Sequence, residues 1–438
     1  MIEPPVRSSG PRIQRAKTRP PIGITTNCRP PTSYPDGPQK IPDSVHCWRR
    51  GRHWPCVHAA LPWSVSPTRI RQVSHRENNM KITRITLHVV NVPETLHWWS
   101  DDEHGQAGHQ KAEHGIAEVE TDEGLTGLTQ IERFTPQNVV DDTMHSWLGT
   151  DVLEVNLASK PSPLRWSFEQ AVLDLRGQAL GVPVHQLLGG RLRDRVPITM
   201  CTGYKTPEHT AEQAVQGWEQ GFRWYKMKCI SGEVTPEARI RHIVNRVRAI
   251  HEAVPEMQIR PDIRWRLEEV WVAQELARRL EGLPIESLES PITEGAYGGT
   301  YSEWRRLRHT IGYPIADHVH HVADLIHRAR AEALDYIIVG GESHLDLLQL
   351  SRLSHQLGLG GWSQCVAYGP GAAMGLQVAA CMASLTQPYD MVGPLAWEHD
   401  LTNEPFELVD GGLVVPDRPG IGFTLDLDAV AKYLVTRY

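Results

Sequence analysis

The chain reads as an α/β protein, a modified (β/α)7β TIM barrel capped by an α+β domain, and three features of the sequence predict this. From about residue 191 a short apolar run followed by an amphipathic helical stretch recurs with a period of roughly one strand-plus-helix unit. Three acids, Asp262, Glu289 and Asp317, stand 27 and 28 residues apart, and each closes one of these apolar runs (MQIRPD, IESLESP and YPIAD). Before residue 191 and after residue 398 the strand-helix repeat is missing. A domain of another kind therefore brackets the repeating part.

Taken in order, the first domain spans 80–190. MKITRITLHVV opens as a strand with Ile85, Leu87 and Val89 on one face, and a polar loop from His97 to Glu113 follows. GIAEVETDEGLTGL then gives a strand pair turned at Asp122, Glu123 and Gly124. Residues 137–190 are helical in pattern. The clearest stretch is FEQAVLDLRGQALG, where Phe168, Val172, Leu175 and Leu180 keep helical spacing until Gly181 and Pro183 stop the run.

The repeat predicts barrel strands at 196–202, 224–229, 257–262, 285–290, 313–317, 335–339, 361–366 and 389–395 within a domain spanning 191–398. Helices are expected between them at 207–220, 235–252, 267–281, 302–310, 322–333, 345–357 and 371–384. Eight strands and seven helices close a barrel of right-handed crossovers. The remaining 399–438, with helical character only in LDLDAVAKYL, is expected to pack back on the first domain.

Composition separates the N-terminal stretch from the rest. The chain holds 45 Lys and Arg against 52 Asp and Glu, but residues 1–79 carry 13 basic and 4 acidic side chains and 13 of the 32 prolines. Without periodicity this segment cannot bury enough apolar surface to offset its chain entropy, so it is expected to be disordered or non-native, with Met80 as the true start. Its arginines resemble those of a transit peptide, but it lacks an amphipathic helix. The acidic remainder opposes nucleic-acid binding, and no run is long enough to cross a membrane. Seven cysteines without C-x-x-C spacing argue against a zinc site or a disulfide framework and for a reducing cytoplasm.

In a parallel barrel every strand delivers its C-terminal residue to one rim, so Asp262, Glu289 and Asp317 are expected to converge there. Three carboxylates repel unless a cation sits among them, and an all-oxygen set favours Mg2+. One unit upstream, Lys226 and Lys228 in WYKMKC share a strand face. An ammonium beside a metal suggests enolate chemistry.

Together these motifs resemble the mandelate racemase and muconate lactonizing branch of the enolase superfamily over nearly all of 80–438. AVLDLRGQALGVPVHQLLGG (171–190) is similar to that family's helix-to-barrel junction, and TDEGLTG (121–127) to its capping-domain hairpin. Lys226-Met-Lys228 is similar to its Lys-x-Lys, and Asp262, Glu289 and Asp317 to its metal ligands. The resemblance implies Mg2+-dependent removal of a proton alpha to a carboxylate through an enediolate. Lys228 would be the base, its pKa pushed down by Lys226 and the divalent ion, and Lys226 would hold the substrate carboxylate.

The departures decide the expected reaction. DYIIVGGESHLD offers no second Lys on the sixth strand, and the seventh carries Gln364 where a His is expected, leaving His318, Glu342 and Tyr368 as possible proton donors. A single base suits a syn elimination, so dehydration of a sugar acid, a lyase reaction, is the expected function. The alternatives are a racemase, epimerase or cycloisomerase of a carboxylate and, beyond catalysis, a metal- and carboxylate-binding barrel without turnover. Substrate contacts are expected from Trp98 and Trp99 in the polar loop and from Gln364 and Tyr368. The expected partner is a small-molecule carboxylate, and the chain is expected to form a homo-oligomer.

Overall fold

β1 (Ile82–Val90) carries both faces of the first domain, because its side chains alternate between two apolar clusters. Ile85, Leu87 and Val89 meet the main core, whereas Val90 packs on Ile116, Tyr368, Trp397 and Val430. β2 (His114–Thr121) and β3 (Thr126–Ile131) follow as an antiparallel hairpin, with Gly124 at φ +78° in its turn. The computed structural model describes residues 79–93, 113–131, 135–159, 164–229, 232–293, 301–394 and 397–438. All of these lie in the unit Ser74–Tyr438. The N-terminal segment to residue 78 and the loop with Trp98 and Trp99 lie outside the described residues.

α1 (Gln137–His145) and α2 (Arg165–Leu180) cover this sheet, and α2 ends where Gly181 takes the left-handed conformation that only glycine adopts freely. Asp174 on α2 ties β3 to the C-terminal segment. Its carboxylate accepts from the N–H of Leu128 at 2.8 Å and of Ile421 at 2.9 Å. Gly177 is required beside it, since a Cβ there would stand 2.8 Å from the backbone of Gly420. α3 (Val184–Leu187) and β4 (Arg195–Pro197) lead into the barrel.

The barrel runs β5 (Met200–Thr202), α4 (Pro207–Gln220), β6 (Trp224–Lys228), α5 (Pro236–Ala253), β7 (Gln258–Asp262), α6 (Val270–Arg279), β8 (Leu288–Glu289), α7 (Tyr301–Thr310), β9 (Ile315–Val319), α8 (Val322–Arg330), β10 (Tyr336–Val339), α9 (His344–Gln356), β11 (Gly360–Val366), α10 (Gly369–Cys381) and β12 (Asp390–Val392). The eight strands pair in parallel in sequence order, and a bridge from Ile198 to Tyr389 brings the first and last together. Helix starts follow from local chemistry. Thr206 and Thr235 cap α4 and α5 with their hydroxyls, each before a proline whose missing N–H costs nothing at that position. α10 is buried along its whole length, which explains its composition of Gly, Ala and apolar residues.

Past the barrel, β13 (Leu408–Val409) and β14 (Gly412–Val414) form a hairpin that pairs with β4. α11 (Leu427–Tyr433) then lays Val430 on Val90, and β15 (Leu434–Arg437) adds an antiparallel edge to β1. The C-terminal segment thus completes the sheet of the first domain, giving strand order β15-β1-β2-β3. Among the described residues no helix is long and apolar enough to cross a membrane.

Candidate active site at the barrel mouth

Strand register sets which side chains enter the barrel. On β6, Lys226 and Lys228 lie two apart, and Lys228 is level with Asp262 on β7, which is level with Glu289 on β8. The Nζ of Lys226 donates to Glu289 Oε1 at 2.8 Å and to Asp390 Oδ2, and lies 3.3 Å from Asp262 Oδ2. Lys228 donates to Asp262 Oδ2. Two ammoniums and three carboxylates therefore interlock. Lys226 is fully enclosed and Lys228 keeps 16% of its side chain exposed, so Lys228 is the lysine a ligand can reach.

The next strand holds the departure from expectation. Glu289 is level with Ala316, not with Asp317, so the inward position on β9 after Ala316 belongs to His318. Asp317 faces the strand-helix layer, where Oδ1 accepts from Trp265 Nε1 at 2.9 Å and Ser290 Oγ at 2.8 Å, and Oδ2 accepts from Arg328 at 2.8 Å. The expected three acids do not converge. Asp262 and Glu289 meet, Asp317 is turned away, and His318 Nε2 stands 3.9 Å from Glu289 Oε1 in its place.

The remaining candidates are distributed unevenly. Gln364 faces inward and its amide donates to Glu289 Oε1 at 3.4 Å. Tyr368 is buried in an aromatic cluster, edge-on to His114 at 4.0 Å and 4.6 Å from Trp397. Glu342 is exposed, 4.0 Å from Arg165. Two further groups belong to the site. Asp390 completes the ring around Lys226, and its only signal in the sequence is an acid at the head of the apolar run YDMVGPL. At the end of β10 Gly340 leaves no room for a Cβ, because the ring of His320 fills that space and stacks on His318 at 5.9 Å.

Electrostatics follow from this packing. Burial alone would lower the pKa of Lys226, but Asp390, Glu289 and Asp262 outweigh it and hold the ammonium well above the usual lysine range. Burial likewise opposes the charge on Lys228, and contact with Asp262 again wins over the repulsion of Lys226, so its pKa is raised. The downward shift is expected from Lys226 and a divalent ion acting together; of these, Lys226 alone is outweighed by Asp262. Glu289 is pushed up to about 7 by burial and by the charges of Asp262 and Asp390. His318 is held down to about 3 by burial and by Lys226, so the imidazole is neutral.

Among the described residues no group of three or more His, Cys, Asp or Glu is arranged to hold a metal ion. Mg2+ nevertheless commonly takes only one or two carboxylates from a protein and fills its octahedron with water and substrate oxygens. Asp262 and Glu289 are adjacent, and Glu289 Oε2 is buried without a hydrogen-bond partner. An orphaned anionic oxygen is what such an ion would satisfy. The pair fits a hard divalent cation, in a two-acid form of the three-acid set.

The family model described as Enolase C-terminal domain-like matches residues 209–429. Muconate cycloisomerase 1 of Rhodococcus opacus is 28% identical over 275 residues, 60% of this chain and 70% of its own length. N-succinyl-L-Arg/Lys racemase of Bacillus cereus is 22% identical over 347 residues, covering 73% of this chain and 90% of the relative. Its crystal structure superposes with a TM-score of 0.67, covering 82% of this chain and 99% of that one. The structure of a putative L-alanine-DL-glutamate epimerase from Burkholderia xenovorans bound to magnesium and fumarate gives 0.64 at 17% identity, over 81% and 96% of the two chains. These superpositions establish a shared fold.

Proposed function

Because this chain belongs to the Enolase C-terminal domain-like family, we propose that it removes and returns a proton alpha to a carboxylate and that the net reaction is an isomerisation. Racemisation, epimerisation and cycloisomerisation all fall within this reading. The observation that carries it is the inward position of His318, three strands around the barrel from Lys228. Stereoinversion needs a proton carrier on each face of the substrate, and this pair supplies two. The relatives described above are isomerases as well. Dehydration of a sugar acid, expected because a single base suffices for a syn elimination, finds no support beside an inward-facing His318 and relatives that are a cycloisomerase and a racemase.

Which group starts depends on the configuration of the substrate. A neutral His318 accepts the α-proton: the Cα–H bond breaks, Nε2–H forms, and the pair of electrons passes into the enediolate. The Lys228 ammonium then delivers a proton to the opposite face, and exchange with solvent resets both groups. In the reverse direction the roles swap. Lys226, locked among carboxylates, keeps positive charge beneath the developing anion. Mg2+, held by Asp262 and Glu289, would supply Lewis-acid stabilisation of the carboxylate oxygens.

The test is a set of carboxylates in deuterated water, beginning with muconate and N-succinyl amino acids, read by mass and optical rotation. Under this reading one isomer gains a single deuterium on conversion to the other. His318→Asn abolishes exchange from one configuration and Lys228→Ala from the other, each by about 10²–10⁴-fold or more. Exchange with complete retention, or loss of water from the substrate, would return the weight to a one-base lyase.

A further inference from the structure

The cavity at the barrel mouth does not stop at the inward-facing ring. It occupies about 520 Å³ and touches His318, Gly340 and Gln364 on the inner side of the wall, but also Val339, Ser363 and Cys365, which alternate to the outer side. The space therefore passes over the ends of β10 and β11 and continues between those strands, α9 and α10. A volume in this range accommodates a small organic ligand of many heavy atoms.

The walls of this annex have one consistent property. Among the described residues lining the cavity there is no Lys, Arg, Asp or Glu. Leu347 and Val378 make the far side apolar, and the neutral polar groups nearer α2 are already engaged. Gln170 donates to Pro370 O at 2.9 Å, and Ser167 to Gln130 O at 2.7 Å. His344 is different. Its ring stands in the wall, edge-on to Trp166 at 4.4 Å, the residue is 92% buried, and Nε2 has no hydrogen-bond partner. Burial keeps this imidazole uncharged. An unpaired nitrogen in a closed wall is costly unless something in the cavity pairs with it.

We infer that this annex receives the far end of the substrate and selects an uncharged, mainly apolar tail with one hydrogen-bonding oxygen, which His344 meets. The inference rests on the carboxylate-isomerase reading above, since the substrate's head must lie at Lys228 for its tail to enter here. A second carboxylate or an ammonium would be stripped of water in the annex with no opposite charge to receive it. A hydroxyl or carbonyl oxygen loses less and gains a bond.

Three probes of one length decide the matter: octanoate, 8-hydroxyoctanoate and octanedioate, titrated calorimetrically into the full chain. The expected order of affinity is 8-hydroxyoctanoate, then octanoate, then octanedioate, with the first step about three- to tenfold, the range of one net hydrogen bond. His344→Phe keeps the ring and its packing and should erase the hydroxyl preference while leaving octanoate affinity within about twofold. His344→Gln restores a polar group and should recover part of it. Melting curves confirm that both variants fold. Octanedioate binding as tightly as the hydroxy acid, a preference unchanged in His344→Phe, or no binding of any probe at millimolar concentration overturns the inference. If the order holds but no carboxylate exchanges its α-proton, the reaction assignment fails and the annex stands; exchange without the order has the opposite meaning.

Discussion

Asp317 and His318 are neighbours in the chain but face opposite sides of the wall they share. The acid meets Arg328 at 2.8 Å in the strand-helix layer, and the imidazole stands 3.9 Å from Glu289 inside the barrel. One residue of register thus decides whether β9 adds a further carboxylate or a neutral imidazole to the ring around the lysines.

Metal affinity separates the two positions. Glu289→Gln removes one of the two proposed metal ligands and is expected to weaken Mg2+ binding at least tenfold, whereas Asp317→Asn should change it less than about threefold. Titration calorimetry with Mg2+ alone reads both. The reverse ranking would mean that Asp317 turns inward when the ion binds.

Stability should respond in the opposite sense. Arg328→Met leaves the buried carboxylate of Asp317 facing an apolar side chain and is expected to cost about 3–5 kcal/mol in urea unfolding. Combining it with Asp317→Asn should recover a good part of that loss, because the stranded charge is gone. Additive losses in the double variant would show that the pair contributes through shape alone.

Glu169 gives a pH-dependent expectation away from the mouth. It is buried, accepts from His344 N at 2.8 Å, and burial pushes its pKa up to about 7 from 4.5. A carboxyl raised on folding binds more protons in the native state between those values, so its contribution to stability falls as pH rises through that window. Glu169→Gln should therefore match wild type near pH 5 and exceed it near pH 8 by about 1–3 kcal/mol. Denaturant unfolding at the two pH values checks this, and an equal difference at both would refute it.

A fourth expectation concerns the crowded corner at Gly340. Gly340→Ala must displace the His320 ring from its stack on His318. Turnover should fall while the melting temperature moves by only a few degrees, since His320 is exposed and the rest of β10 is unchanged. A matched loss of stability and rate would indicate a packing defect.

Much of this architecture was legible because the repeat is strong. The apolar runs ending in Lys228, Asp262 and Glu289 phase themselves, since each has a charged residue where a strand meets solvent or a partner. β9 offers no such phase. All but one residue of IADHV is buried, so both faces look alike in sequence, and alternation cannot tell Asp317 from His318. The ladder is also interrupted just before it. β8 is only two residues long, and Ser290 follows at φ +47°, a conformation that resets the direction of the chain. Asp390 escaped for another reason, lying a full barrel away in sequence from the lysine that it holds. His320 carries no signal of its own in the sequence, and its place over Gly340 depends on a glycine whose significance is invisible without the neighbour.

The pairing of β15 with β1 carries a consequence for biosynthesis. His88 and Arg437 are hydrogen-bonded across 349 residues of chain. At typical elongation rates about 20–70 s separate their emergence from the ribosome. Through that interval β1 can engage β2, but its other edge stays unpaired and open to any extended segment it meets. Successive barrel strands from β5 to β12, by contrast, pair within a few dozen residues, although closure of β5 on β12 also waits for the end of the barrel. Among the described strands β1 therefore waits longest for a partner, and misassociation of the nascent chain is expected there first.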